Sequence, residues 1–252
     1  MVQALFGSTP IQAQSGDRLV SKVVGAAIAA LFKRSDKVEA NVRAEPVAKL
    51  LQGSVDGFDF IGNGMLMYNG LRIAVMELYV QAVSIDFSAI FAGQVKLRQP
   101  TQAVMRVVLT EDDLTASFNT PFIVEKLQRL QYKGQPLQFN QTEMTVTPDK
   151  TLAFQSYIRI GDARNLTAVD FSAGIEVENR RKIQFVDVKY EGDEESQNLG
   201  RALIEHVNNL LDLDKFALEG TQLRVDRIRI QKEGLVFYGS AQIDQFPKGK
   251  KR

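Results

Sequence analysis

The sequence predicts an α+β fold in which a long, curved antiparallel sheet wraps helices. Three observations predict it. From Val55 onward, stretches of period two follow one another through short turns. Helical patterns interrupt them, giving the order helix, strands, helix, strands, helix, two strands. Several strands, notably Leu71–Phe87 and Ala103–Leu109, are apolar on both faces, which requires cover on both sides.

Residues 1–14 are small and polar and read as a loose N-terminus. Residues 15–247 read as a single domain, since no Pro/Gly-rich linker divides them, and 248–252 as a basic tail. Ser15 suits the N-cap of a helix from Gly16 to about Arg34. Leu19, Val20, Val23, Val24, Ala27, Ile28 and Leu31 share one face of it, opposite Arg18, Lys22, Gly25, Ala29 and Lys33. Such a helix packs under a sheet, or also touches a membrane surface.

Phe58 and Phe60 alternate with Asp59, and Asn63-Gly64 and Asn69-Gly70 both read as hairpin turns. In Leu71–Phe87 the apolar face changes twice: Leu71, Ile73 and Val75, then Met76, Leu78, Val80 and Ala82, then Val83, Ile85 and Phe87. These changes of phase predict bulges in one long, curved strand. Gln94–Leu97 and Ala103–Leu109 continue the strands. Thr110 caps a short helix whose first turn is acidic, and Pro121 opens a second that runs through Leu130. Strands then follow at Pro136–Thr147, Thr151–Ile160, Ala168–Glu178 and Ile183–Tyr190. An acidic loop, Glu191–Glu195, leads into a helix to about Leu211, and strands Thr221–Lys232 and Leu235–Phe246 meet at Glu233-Gly234. A faint internal echo links Phe58–Phe87 with Phe216–Phe246.

Composition narrows the function. The chain has 252 residues, 44% hydrophobic, enough to bury a core without staples. It contains no cysteine, which removes disulfides, thiolate metal sites and Cys nucleophiles. A net charge of +1 lacks the basic excess of a nucleic-acid binder, so no nucleic-acid partner is expected. The one histidine, His206, sits on an apolar helix face with no second His or Cys for a zinc site. No nucleophile elbow or phosphate-binding loop occurs, and Gly62-Asn-Gly64 reads as a turn rather than the start of a dinucleotide fingerprint. The chain therefore reads as no enzyme, with no catalytic residue, metal or cofactor. Its longest apolar run, Val23–Phe32, is half of the about 20 residues that a spanning helix needs.

Cover on both sides of the strands comes from helices alone, in a filled core, or from helices and a bound apolar ligand. For a ligand groove the candidate lining residues are Phe60, Met65, Met67, Leu71, Ile73, Val75, Met76, Leu78, Val80, Phe87, Met105 and Phe118. The methionines would let such a groove adapt its shape. Basic residues that would meet anionic headgroups are Arg180, Arg181, Lys182, Arg224, Arg227 and Arg229, with the tail Lys248–Arg252.

An ordered set of runs carries a family resemblance: Leu50-Leu-Gln-Gly-Ser-Val55, Gly70-Leu-Arg72, Val83-Ser-Ile-Asp-Phe87, Ala92-Gly-Gln-Val-Lys-Leu97, Pro100-Thr101 and Val108-Leu-Thr-Glu-Asp-Asp-Leu114. The set resembles the LmeA-like family of bacterial phospholipid-binding proteins, well over about residues 40–130 and loosely elsewhere. The resemblance implies a curved sheet similar to the tubular lipid-binding domains, which hold acyl chains in a central cavity. It implies phospholipid binding or transfer at a membrane or cell envelope, and it carries no catalytic motif. Exported members bear a signal peptide or anchor. The N-terminus Met-Val-Gln-Ala-Leu-Phe does not read as one, so the expected place is cytoplasmic and peripheral to a membrane, or periplasmic if an export signal has been removed. The expected partners are a phospholipid and an anionic membrane surface. The rival reading is a scaffold that binds a protein partner, and an enzyme acting on lipid or glycan stands third.

Overall fold

The computed structural model describes residues 15–46, 48–86, 88, 89, 96–217, 219–232 and 234–245. Phe87, residues 1–14 and the basic tail lie outside the described residues. Helix α1 (Ser15–Ala29) is followed by β1 (Lys37–Arg43), a helical turn α2 (Ala48–Leu51), β2 (Ser54–Leu66), β3 (Arg72–Ser84) and β4 (Thr101–Thr110). Two short helices, α3 (Glu111–Phe118) and α4 (Pro121–Leu127), lead to β5 (Gln131–Tyr132), β6 (Gln135–Val146), β7 (Leu152–Ile160), β8 (Thr167–Glu178) and β9 (Lys182–Tyr190). Helix α5 (Glu194–Leu210), the 3-10 turn Leu213–Lys215, β10 (Thr221–Gln231) and β11 (Gly234–Ile243) complete the order.

All of the strand pairs are antiparallel, and the class is α+β. The one long sheet expected from the sequence is instead two. The first has six strands in the order β1-β2-β3-β4-β11-β10, and the second has five in the order β5-β6-β7-β8-β9. The chain leaves the first sheet where β4 meets a capping box. The Thr110 hydroxyl accepts the Asp113 amide, and the Asp113 carboxylate accepts the Thr110 amide, so the backbone turns directly into α3. The final hairpin returns to the first sheet, where β11 pairs with β4. The two hairpins behind the internal echo, β2–β3 and β10–β11, thus flank β4 on its two sides.

Each sheet has its own packed cluster. Under the first, Val24, Ile28 and Phe32 of α1 and the turn that follows it, four residues apart, pack with Val42, Phe58, Phe60 and Val80. Under the second, Leu199, Leu203 and Val207 of α5, at the same spacing, pack with Leu137, Ile158 and Val169. Phe154 stacks on Phe171 at 4.7 Å between centroids. Asn119 fastens α3 to β6: its side chain donates to the Thr142 carbonyl at 2.6 Å and accepts the Thr142 amide at 3.0 Å.

Two expectations are overturned locally. The first helix stops at Ala29, because the next residues pair with the end of β2: the Lys33 amide donates to the Leu66 carbonyl at 2.8 Å, and Arg34 bridges Leu66. Asn63-Gly64 is not a turn but the interior of β2. There the Asp36 amide reaches the Asn63 carbonyl, and the Asp36 carboxylate occupies the space a side chain on Gly64 (φ 57°) would need. The hairpin closes instead at Asn69-Gly70, where the Gly70 amide donates to Met67.

Candidate functional site

Register decides what the inner face of the first sheet can hold. Three rows cross it from β3 to β10: Met76, Val107, Phe237 and Ile228; Leu78, Met105, Gly239 and Val225; Val80, Ala103, Ala241 and Leu223. Two of these rows contain residues with little or no side chain. At Gly239 even a β-carbon would collide with the neighbouring strand at Val225 and the Arg224 carbonyl. A hollow lies against these rows, bordered by Ala241 and by the flexible Met76 and Met105.

The hollow is a cavity of about 360 Å³, within the range of roughly 300–1,000 Å³ usual for ligand pockets. Val24, Ile28 and Phe32 close it on one side, and Leu114, Phe118 and Ile123 of α3 and α4 on another. The near end of the second sheet contributes Met144, Leu152, Ile175, Ile183 and Phe185. Apart from Arg72, Thr101, Ser117 and Thr221, every lining residue is apolar. Those four stand at two ends. Arg72 begins β3, and Ser117 lies near the end of α3 and accepts the Arg72 amide at 3.0 Å. Thr101 and Thr221 both pair with Ile243, at the opposite end of the same strands.

Of the lining residues expected from sequence, Met67, Leu71, Ile73, Met76, Leu78, Val80, Met105 and Phe118 border the cavity. Phe60 and Met65 do not reach it. They are 0% and 1% exposed and fill the hollow beside Gly62, where an added side chain would run into the Met65 sulfur and the Phe60 ring. Val75 does not reach it either, because it pairs with Val108, in the ladder position next to the cavity row Met76–Val107, on the outer face. The strand changes face between Ile73 and Met76, opposite Gly64, and again at Ala82, which is left-handed (φ 51°). Sequence reasoning missed Leu223, Phe237 and the α1 residues. It also missed the small residue Ala241, whose place beside the cavity depends on register.

The outer face of the first sheet is polar by contrast. Glu77 and Arg106 pair at 2.8 Å, and Asp59 pairs with Arg43. Burial, with the Glu77 and Asp59 charges beside it, pushes the Tyr79 phenol up.

None of the six candidate headgroup residues lines the cavity. Arg180 is held by Asp226 at 2.7 Å, Arg181 by Asp212 and Asp214 at 3.3 and 3.5 Å, and Arg224 by Asp214 at 2.8 Å. Arg227 and Arg229 lie over the Tyr238 ring, 4.8 and 5.9 Å from its centre. Lys182 pairs in register with Glu178 at the start of β9. His206 Nε2–H donates to the Lys126 carbonyl at 2.9 Å, tying α5 to α4. Asp193 of the acidic loop caps α5, and the Ser196 amide and hydroxyl hold its carboxyl below the usual range.

Comparison with known proteins adds a family. No curated protein and no solved structure matches the chain. The model of the LmeA-like phospholipid-binding family matches residues 12–240, nearly the whole length. An apolar cavity with polar residues only at its ends suits such a ligand, and the chain belongs to the LmeA-like phospholipid-binding family.

Proposed function

We propose that this protein is a non-enzymatic phospholipid carrier that holds acyl chains in its cavity and works at a bacterial membrane or envelope, in the manner of the tubular lipid-binding domains. The observation that carries this reading is the unbroken apolar wall between the two polar ends. Ile73 to Val80 spans eight residues of β3, seven steps of roughly 3.3 Å and about 23 Å in all. One leaflet of hydrocarbon is about 15 Å deep, so an acyl chain fits along the wall. Each methylene moved from water onto such a wall is stabilised by about 0.8 kcal/mol, so about ten contribute on the order of 8 kcal/mol. The polar groups present suit binding more than chemistry. The Ser117 hydroxyl accepts a backbone amide, and His206 is engaged by the Lys126 carbonyl.

Contact with an anionic surface is part of the same reading. Arg227 and Arg229 face outward and have no carboxylate partner among the described residues, whereas Arg180, Arg181 and Arg224 are already paired.

Native mass spectrometry of the purified protein tests the carrier. It should show added masses of phospholipid that organic extraction removes and incubation with vesicles restores. A protein that carries none and takes none up from phosphatidylglycerol vesicles overturns the proposal.

A further inference from the structure

A strand at the edge of a sheet offers a row of unpaired amides and carbonyls to any extended chain. Among the described residues, three such edges are blocked by the chain itself. β6 is blocked from α3: Glu111, Thr115 and Asn119, each four residues after the last, bond the backbone of Val146, Met144 and Thr142, alternate residues of the strand. β9 is blocked from α5: the Asn208 side chain accepts the Phe185 amide at 2.8 Å and donates to its carbonyl at 3.2 Å, and the Leu211 carbonyl accepts the Ile183 amide. β10 is blocked at Leu223 by the Arg224 guanidinium and at Val225 by the Arg180 carbonyl, and a bulge follows.

β1 is different. The Val42 amide donates to the Ser21 hydroxyl of α1 at 2.9 Å, so Val42 turns its backbone away from β2. The ladder to β2 is unbroken from Lys37 to Arg43, so Val38 and Ala40 turn theirs outward as well. Their amides and carbonyls have no partner among the described residues. This open edge is one wall of a groove whose other wall is α1. Helix and strand approach closely: a β-carbon on Gly25 would stand 3.0 Å from that of Ala40. Gly25, Ala26 and Ala29 leave the groove shallow, and Arg18 and Lys22 stand exposed along it. Neither cation has a carboxylate partner among the described residues, and Glu39 of the strand is already paired with Lys37.

We infer that this groove binds an extended, acidic segment of a partner protein, which joins the first sheet as a strand beside β1. Val38 and Ala40 each exchange an amide and a carbonyl bond with it. Alternate side chains of the added strand point toward α1. There an acidic residue meets Arg18 or Lys22, and a small apolar one meets Ala26 and Ala29. A second copy of this chain suits the groove less. Pairing β1 with itself about Ala40 sets Lys37 opposite Arg43 and turns two basic helix flanks toward each other.

The probe is a nine-residue peptide that alternates valine with glutamate and threonine, with a twin in which lysine replaces glutamate. Amide NMR spectra of the full chain follow binding residue by residue. The acidic peptide should shift the Val38 and Ala40 amides and slow their exchange with solvent, and its affinity should fall as salt rises. Lys22→Glu should weaken it about tenfold and favour the lysine twin. Ala40→Pro removes one outward amide without touching the ladder to β2 and should abolish binding. Both variants should keep the wild-type melting temperature and phospholipid uptake, since neither residue lines the cavity, so the carrier reading stands or falls separately. If Ala40→Pro melts lower, Lys22→Glu alone decides. Unmoved Val38 and Ala40 amides, equal affinity for the two peptides, or a Lys22→Glu variant that binds like the wild type overturns the inference. So does a dimer in sedimentation that Lys22→Glu or Ala40→Pro alters, which would give the edge to a second copy.

Discussion

Val75 and Val80 stand on opposite faces of the same strand: Val80 pairs with Ala103 and borders the cavity, while Val75 pairs with Val108 on the outer side. The two are therefore a matched pair for asking whether the hollow holds lipid. Val80→Phe adds bulk where space exists. The delipidated protein should melt within about 4 °C of the wild type, roughly 1 kcal/mol for a chain of this size, while bound phospholipid falls sharply. Val75→Phe should leave lipid uptake unchanged. A filled interior would instead make Val80→Phe cost about 1–3 kcal/mol through overpacking, with no lipid to lose.

Leu203 and Leu78 make a second comparison. Leu203 is fully buried in the closed cluster under the second sheet, whereas Leu78 is half-buried because it borders the cavity. Leu203→Ala opens a new void and should cost about 2–5 kcal/mol in urea unfolding. Leu78→Ala enlarges a void that is already there and gives up only part of its transfer free energy, so about 1–2 kcal/mol is expected. Equal costs would mean that Leu78 is packed as tightly as Leu203.

Asp193 gives a pH dependence with a definite sign. Hydrogen bonds from Ser196 hold its carboxyl below the usual value of 3.8 in the folded protein. The cap therefore stabilises α5 fully above that value and is lost as the pH falls from there through the lowered one. Asp193→Asn keeps an acceptor for the Ser196 amide without the charge. Melting temperatures measured from pH 6 down to pH 3 should fall more steeply for the wild type than for this variant. Parallel curves would show that the cap carries no charge-dependent stability.

Local signals in the sequence were legible wherever the partner was local as well. The Thr110 capping box, the Pro121 helix start and the strands from β6 to β9 all follow from residues a few positions apart, and the structure places them within about two residues of expectation, although the helix from Pro121 ends at Leu127 rather than Leu130. The two Asn-Gly pairs show where this stops. Asn69-Gly70 closes its own turn through Met67 and Leu71. Asn63-Gly64 has the same chemistry, but Asp36, more than twenty-five residues earlier, claims it for the strand interior. β1 was missed although Val38, Ala40 and Val42 alternate with Lys37, Glu39, Asn41 and Arg43. The cavity was half legible. Its apolar strand faces were visible in the pattern, but the space itself depends on β4 and β11 becoming neighbours, as where Met105 meets Gly239, more than 130 positions further along the chain.

The two changes of face in β3 give the lumen something like a reading frame. Between Gly64's partner position and Ala82, even-numbered residues from Met76 to Val80 face the cavity and odd-numbered ones, Glu77 and Tyr79, face the outer network. A substitution alters one letter of that frame. A deletion of one residue between Val75 and Ala82 shifts all of it, turning Leu78 and Val80 toward water and a carboxylate and a phenol toward the cavity. This stretch of strand therefore tolerates exchange of side chains far better than any change in length.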